Sequence, residues 1–186
     1  MSLNSAAKDV SIPILRANLY MFAITIPLIG LLVLVFITVW DLGSFLIGAY
    51  RFLAISNVVP ALLIGVPLHE LLHALGWVYF GKKTFKEIKF GFQWKTITPY
   101  AHLTVPVQAG SYRMGTVLPG LILGLLPYLL GLVSGNGWLA ALGLFFVFAA
   151  GGDLLALWVI RMVKNQILVI DHPSQVGCLI LESESL

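Results

Sequence analysis

The sequence predicts an all-α membrane protein with about four transmembrane helices and a small cytoplasmic β-hairpin between spans two and three. Three observations lead to this prediction. Only 10% of the 186 residues are charged and 59% are hydrophobic, whereas soluble domains carry about 25% charged residues. Several uncharged tracts reach the roughly 20 residues that a helix needs to cross a bilayer. Between two of these tracts, a basic segment shows the period-two alternation of a strand.

The first two spans come from the N-terminal half of the chain. Residues 18–40 are uncharged and too long for the apolar core of a signal peptide, so we expect a membrane anchor. Residues 44–80 would be about 55 Å long as one helix, which is too long for a single crossing. A capping signal at Ser56 divides this tract. We therefore expect 44–55 to lie at the interface or re-enter the membrane, and 57–80 to form the second span.

Residues 81–113 interrupt the membrane pattern and carry six Lys and Arg residues against one acid, Glu87. Apolar side chains occupy every second position on both sides of a turn signal at Thr98-Pro99: Ile88, Phe90, Phe92 and Trp94 before it, and Ala101, Leu103, Val105 and Val107 after it. This alternation predicts a β-hairpin at the membrane surface. We expect its basic residues to face anionic lipid, because no other feature supports binding to nucleic acid.

Two further spans are predicted at 114–135 and 138–160, joined by a tight turn at 135–137. The tail, 161–186, contains two short β-prone runs. Lys and Arg concentrate at the N-terminus, in the hairpin region and after residue 160, whereas the turn between the last two spans has no charge. The positive-inside rule then places both termini, the hairpin and the tail in the cytoplasm. We expect residues 1–186 to form a single membrane domain.

The chemically informative stretch lies in the second predicted span, where His69, Glu70 and His73 form an H-E-x-x-H pattern. Two histidines four residues apart project from one face of a helix, so they can bind one Zn²⁺. Glu70 is placed to accept a proton from water at the metal rather than to bind the metal. It is the only charged residue between positions 56 and 80, and ionisable groups in so apolar a setting are usually functional. The alternative is a helix that carries two histidines and a capping or paired glutamate without a metal.

A catalytic zinc usually takes three protein ligands, so this pattern needs a partner from elsewhere in the chain. Depth favours Asp153, which lies eight residues before Arg161 at the end of its span. His73 lies seven residues before Phe80 at the corresponding end of its own span, so the two side chains are level. The two glycines before Asp153 would let helices approach closely. The alternatives are an aspartate paired with Arg161 and a protonated aspartate that is hydrogen-bonded to a helix.

Three more residues are candidates for orienting a ligand or contacting substrate: His102, Asp171 and His172. Each has a simpler interpretation. A histidine in a surface hairpin is commonly solvated. The sequence Asp171-His172-Pro173 is also a turn signature, in which the aspartate bonds its own backbone.

The HELLH stretch at 69–73, the GGD at 151–153 and the DHP at 171–173 resemble a family of small bacterial membrane proteins classed as putative zincin peptidases. This family is itself distantly similar to site-2 proteases. In site-2 proteases the third zinc ligand is an aspartate in a leucine-aspartate-glycine motif on a later helix. That role maps onto Asp153, although a leucine follows it here. The resemblance implies a multi-pass protein of the bacterial plasma membrane that cleaves transmembrane substrates near the cytoplasmic face.

The leading hypothesis is an intramembrane zinc metallopeptidase that hydrolyses membrane-protein or peptide substrates. In it, His69, His73 and Asp153 hold Zn²⁺, the expected cofactor. Glu70 acts as the general base. A second hypothesis is a non-catalytic zinc-binding adaptor or regulatory protein, which would need the ligands but not the base. A third is a small transporter, although a single cluster of ionisable residues argues against an ion relay. The lone Cys178 excludes an internal disulfide.

The predicted topology can be tested by cysteine labelling in a Cys178→Ser background. A cysteine replacing Asn136 should react with a membrane-impermeant maleimide added to intact cells, because the turn between the last two spans is expected outside. A cysteine replacing Lys83 should react only in inside-out vesicles, because positively charged loops remain in the cytoplasm. Labelling of position 83 in intact cells would reverse the orientation.

Overall fold

The computed structural model describes residues 7–94 and 98–181. The helices are α1 (Ile14–Val39), α2 (Leu42–Leu53), α3 (Ile55–Gly81), α4 (Ala109–Pro119), α5 (Leu126–Ser134), α6 (Gly137–Ala149) and α7 (Gly151–Val159). The strands are β1 (Ala7–Ile12), β2 (Ile88–Gln93), β3 (Thr98–Leu103), β4 (Val107–Gln108), β5 (Leu168–Asp171) and β6 (Val176–Leu181). A π-helical stretch, Gly120–Leu125, joins α4 to α5.

Three helices are long and apolar enough to cross a membrane: Arg16–Val39, Ile55–Gly81 and Ala109–Ser134. The pair α6 and α7 passes the same test together, but it is bent by 47°. It adds a fourth crossing only if the bent pair is one span. The short apolar helix α2 corresponds to the tract expected at the interface. Several helices that could span a membrane are therefore confirmed, and the count of four spans stays a prediction.

The chain divides into two compact units. The sheet unit contains the described residues of 1–19, 70–118 and 152–186, and the helical unit contains 20–69 and 119–151. The core of the sheet unit consists of side chains from α3, α4 and the strands, together with the residue that follows α7: Ala74, Trp77, Ile88, Leu103, Val107, Ala109, Tyr112, Ile160, Val169 and Cys178. A core of the helical unit contains Phe36, Tyr128, Ala140 and Leu144.

Glycines bring the helices of the helical unit into close contact. A Cβ atom added to Gly48 of α2 would overlap the backbone of Gly137 at the start of α6. The tight turn before α6 was predicted correctly, because Gly135 adopts a positive φ of 68°. Asn136 then caps α6, because its side-chain oxygen accepts hydrogen bonds from the amides of Trp138 at 3.0 Å and Leu139 at 3.2 Å. Close backbone packing of this kind is typical of helices in membranes, where small residues lie at the contacts.

The fourth predicted span, 138–160, is not one helix. It breaks at Ala150 into α6 and α7. A Cβ atom at Gly151 would lie 2.5 Å from Cγ of Met21 and 2.7 Å from Cγ2 of Thr25, so only glycine allows α1 to approach here. Two consecutive glycines also weaken the helix. The break places Asp153 in the first turn of α7, where unbonded backbone amides favour a carboxylate.

The hairpin is confirmed: β2 pairs with β3 in an antiparallel register that sets Ile88 opposite Leu103. The turn predicted at Thr98-Pro99 is wrong, because both residues belong to β3. Proline is tolerated in edge strands, and both strands of a two-stranded sheet are edges. Residues 95–97, including the predicted basic residue Lys95, lie outside the described residues.

The prediction of an all-α fold is wrong in one respect, because the chain also forms a four-stranded antiparallel sheet in the order β1-β6-β5-β4. The first strand, Ala7–Ile12, lies in the polar N-terminal stretch and pairs with β6. The predicted second hairpin strand ends at Leu103, and Val107 instead begins β4, which pairs with β5. These strands come from distant parts of the sequence, so local alternation gave little signal for their pairing.

Helix α4 begins at Ala109, earlier than the predicted start at 114. The predicted span began directly after Arg113, but this arginine lies inside the helix. Its guanidinium donates to the carbonyl of Ile160 at 2.6 Å, to the carbonyl of Val163 and to Oδ1 of Asn165 at 2.5 Å. The helix can therefore contain this charge because backbone and amide oxygens surround it.

The glycine contact between α2 and α6 can be tested by adding one methyl group. Gly48→Ala should lower the thermal unfolding temperature in detergent, since overpacking costs about 1–3 kcal/mol. Gly30→Ala in α1 is the matched control, because a Cβ atom there would meet nothing within 4 Å. Circular dichroism melts of both variants check the prediction. Equal melting temperatures for Gly48→Ala and the parent would contradict the close packing.

Candidate metal centre

The H-E-x-x-H pattern lies on α3, which continues as a helix through Pro67. The two histidines are buried, with His69 8% and His73 6% exposed. A proline inside a helix removes one backbone hydrogen bond of the turn before it. The helix nevertheless keeps the four-residue spacing, so both imidazoles leave from the same face.

Asp153 joins these histidines from α7. Its Oδ1 lies 3.2 Å from Nε2 of His73, and its side chain is 20% exposed. One ligand atom each from His69, His73 and Asp153 lie within 4.8 Å of one another, and this is a group of the described residues that could hold a metal. The alternative partner, Arg161, lies over the ring of Trp158 with its guanidinium carbon 4.1 Å from the ring centroid. The predicted triad is therefore brought together.

The second ring nitrogen of His73 has its own partner. Nδ1 lies 3.0 Å from the carbonyl oxygen of Gly115 in α4, and because a carbonyl only accepts, Nδ1 carries the proton. The other ring nitrogen, Nε2, carries no proton in the neutral ring and faces the carboxylate of Asp153. A bare imidazole nitrogen and a carboxylate oxygen both accept hydrogen bonds, so a proton or a cation must lie between them. Hydrogen bonding of the outer nitrogen to a carbonyl is the usual arrangement of a metal-binding histidine.

An aromatic stack continues from His73 into α4. The rings of His73 and Trp77 lie 5.6 Å apart with an angle of 14° between their planes, and the rings of Trp77 and Tyr112 lie 5.9 Å apart at 19°. Nε1 of Trp77 donates to the carbonyl of Tyr112 at 3.2 Å. A Cβ atom on Gly76 would lie 2.6 Å from Cα of Gly115, so two glycines let the helices approach. The histidine is therefore held by tight packing of α3 against α4.

His102 and Asp171 pair with each other and lie outside the metal-binding group. Nδ1 of His102 lies 2.9 Å from Oδ2 of Asp171, and the hydroxyl of Tyr112 donates to Oδ1 of the same carboxylate at 2.8 Å. Cys178 lies opposite Asp171 in the sheet. Burial and this negative charge raise the pKa of the Cys178 thiol to about 12, so the thiol stays protonated at neutral pH.

His172 belongs to the turn that follows β5. Its Nδ1 accepts a hydrogen bond from the amide of Ser174 at 3.1 Å, and its Nε2 lies 4.0 Å from Oδ2 of Asp9 in β1. Its own amide donates to the carbonyl of Gly177. His172 and Pro173 therefore begin the connection between β5 and β6, but the carboxylate of Asp171 pairs with His102 and Tyr112 rather than with its own backbone, as the turn interpretation had expected.

Comparison with known protein families identifies the family of this chain. Residues 62–168 match a family model described as putative zincin peptidase, and this range is more than half of the sequence. The chain belongs to this family. A search of curated proteins and a search of solved structures gave no significant match. The resemblance to the zincin peptidase family is confirmed, and the more distant similarity to site-2 proteases stays a prediction.

Membership in the zincin peptidase family points to a metallopeptidase and implies zinc. The residues present fit that metal, because two imidazoles and one carboxylate are a common ligand set of catalytic zinc. Two ligands bound tetrahedrally at about 2.0–2.1 Å lie about 3.4 Å apart, close to the 3.2 Å between Nε2 of His73 and Oδ1 of Asp153. Glu70 is half-buried and is not a member of the group.

The residues that support this group were not predicted from the sequence. Trp77 follows His73 by one helical turn, so its spacing could have shown that the two rings share a face. Tyr112 and Gly115 gave no such signal. Their roles depend on the packing of α4 against α3, which local sequence does not reveal.

Purified protein should contain about one Zn²⁺ per chain, because the three donors His69, His73 and Asp153 are the number of protein ligands that one catalytic zinc takes. His69→Ala or His73→Ala should abolish binding, and Asp153→Ala should weaken it. His172→Ala is the matched control, since this histidine lies in the tail turn. Metal content measured by mass spectrometry checks the prediction. Stoichiometric zinc in a His69→Ala/His73→Ala double variant would show that zinc does not bind at these histidines.

Proposed function

We propose that this protein is an intramembrane zinc metallopeptidase that hydrolyses peptide bonds of membrane proteins near the cytoplasmic face. The observation that carries the proposal is the convergence of His69, His73 and Asp153, with the carboxylate 3.2 Å from the imidazole. Family membership supports the metallopeptidase class. The intramembrane setting is supported by the position of both histidines within an apolar helix that is long enough to span a bilayer.

Zinc bound here would act as a Lewis acid and lower the pKa of water toward about 7. Within this chain, the two histidines and Asp153 would hold the metal, and Glu70 would accept the proton of the attacking water. The same carboxyl would later return that proton to the leaving amine. Asp153 is the most exposed of the three ligands. A Cβ atom at Gly152 would meet nothing within 4 Å, so open space borders the backbone beside this ligand.

The substrate class follows from the position of the histidines. His73 lies eight residues before Gly81 at the end of α3, or about 12 Å along the helix. A bond cleaved at this depth would belong to a membrane-embedded or membrane-adjacent segment. Extended peptide is the form that peptidases cleave, and the β2–β3 hairpin of the sheet unit offers strand edges without a further strand partner among the described residues. Strand addition at such an edge would hold a substrate extended.

Glu70→Gln tests the chemistry directly. The amide keeps nearly the same shape but cannot accept a proton near neutral pH, so the variant should keep its zinc and lose turnover. A general base contributes about 10²–10⁴-fold to the rate. Cleavage of a membrane-protein substrate by purified protein in proteoliposomes, with metal content measured in parallel, provides the readout. Glu87→Gln is the matched control, because Glu87 caps the turn at Thr84.

The same experiment separates the peptidase from the alternative, a zinc-binding adaptor. An adaptor needs the three ligands but no base, so Glu70→Gln would then complement a deletion strain as well as the parent does. Full complementation with zinc still bound would end the catalytic proposal and leave the metal site. Loss of complementation with zinc retained supports hydrolysis.

A further inference from the structure

We propose that His102, Asp171 and Tyr112 form a positioning network that fixes the orientation of His73 through α4. The inference rests on the metal-binding role proposed for His73, but not on peptide hydrolysis. It assigns a function to two residues that the metal-binding group leaves out, and to a tyrosine that the sequence analysis did not single out.

The network begins at the carboxylate of Asp171, at the end of β5. Each of its two oxygens has one donor: the ring of His102 from β3 at 2.9 Å and the hydroxyl of Tyr112 from α4 at 2.8 Å. The side chain of Asp171 is only 14% exposed. Hydrogen bonds to a charged acceptor are stronger than neutral ones, and shielding from water strengthens them further. One carboxylate thus joins a hairpin strand, a strand of the larger sheet and a helix.

Tyr112 transmits this constraint to α4. Gly115 follows Tyr112 by three residues, so the two lie one turn apart on neighbouring positions of the same helix surface. The carbonyl of Gly115 accepts the Nδ1 proton of His73 at 3.0 Å. Trp77 fills the space between, stacked on both rings and donating to the carbonyl of Tyr112. A shift of the first turn of α4 would therefore move the group that orients the imidazole.

Arg113, which follows Tyr112, holds the first turns of α4 on another side. Arg113 donates to the carbonyls of Ile160 and Val163 and to the side chain of Asn165, just after α7. Helix α7 carries Asp153. Two consecutive residues of α4 thus hold it against β5 on one side and against the end of α7 on the other. This arrangement favours a role in the relative placement of His73 and Asp153 over simple stabilisation of the tail.

Removal of the Tyr112 hydroxyl should weaken metal binding without removing a ligand. Loss of a group bonded directly to a ligand costs roughly 10–100-fold in metal affinity. Tyr112 acts one step further away, so we expect a decrease of about 3–10-fold in Zn²⁺ affinity for Tyr112→Phe, scaled down from that range. Asp171→Ala should have a similar effect, and the double variant should be no worse than either single variant, because all three break one path.

The experiment compares Tyr112→Phe with Tyr128→Phe in full-length protein reconstituted in nanodiscs. Tyr128 is a matched control: it is buried, and its hydroxyl donates to the carbonyl of Leu32 at the same distance, 2.8 Å. Zn²⁺ affinity is measured by competition with a chelator. The visible spectrum of the Co²⁺-loaded protein reports ligand geometry, and thermal unfolding of the metal-free protein reports stability.

The proposal requires a weaker affinity and an altered Co²⁺ spectrum in Tyr112→Phe and Asp171→Ala, with Tyr128→Phe unchanged in both. Parental affinity and spectrum in Tyr112→Phe would overturn the network, and so would an equal loss in Tyr128→Phe. A parent that binds metal but cleaves nothing would refute the proposed function and leave this comparison intact. A parent that binds no metal would refute both.

Discussion

A carboxylate 3.2 Å from a buried imidazole is the interaction on which the centre of this protein depends. Ionisable groups taken out of water are costly unless they are paired, and both partners here come from apolar helices. The outer nitrogen of His73 already donates to a carbonyl, so the inner nitrogen needs a proton or a cation to face Asp153. That requirement explains why α3 and α7, whose residues His73 and Asp153 are eighty positions apart in sequence, must be held at a fixed distance from each other. It also makes the group suited to a metal, in agreement with the zincin peptidase family to which the chain belongs.

Glycines at the helix contacts help to hold these segments in place, because they let the backbones approach closely. Gly76 and Gly115 let α3 and α4 approach until a carbonyl reaches the histidine. In the helical unit, Gly151 admits α1 at the point where α6 ends, and the chain bends there by 47°. Without that bend Asp153 would lie in the middle of a long helix, where the backbone amides are already bonded. In the first turn of a new helix its charge is favoured by free amides. Close packing at glycines therefore positions the groups around His73, and it also places Asp153 where helix amides stabilise its charge.

The sheet unit supplies polar support from outside the apolar helices. Asp171 joins a hairpin strand, a sheet strand and α4, and Arg113 joins α4 to the segment after α7. The thiol of Cys178 beside this network remains protonated, because its pKa is raised to about 12 by burial and by the nearby carboxylate. Strand β1 from the N-terminal part of the chain pairs with β6 from its C-terminal part, and β6 pairs with β5. Both strands therefore belong to the sheet that contacts α4 through Asp171.

Sequence alone determined the features that depend on local order. The length of the apolar tracts predicted the helices that could span a membrane, and alternation predicted the hairpin. The four-residue spacing of His69 and His73 predicted that both lie on one face of α3. It also proposed Asp153 by depth, because helix rise is constant along the chain. Only the tertiary structure decided the break before α7, the four-stranded sheet and the partners of His102 and Asp171. Each of these depends on contacts between segments far apart in sequence. The break before α7 depends in addition on Gly151, whose effect appears only when side chains of α1 lie against it.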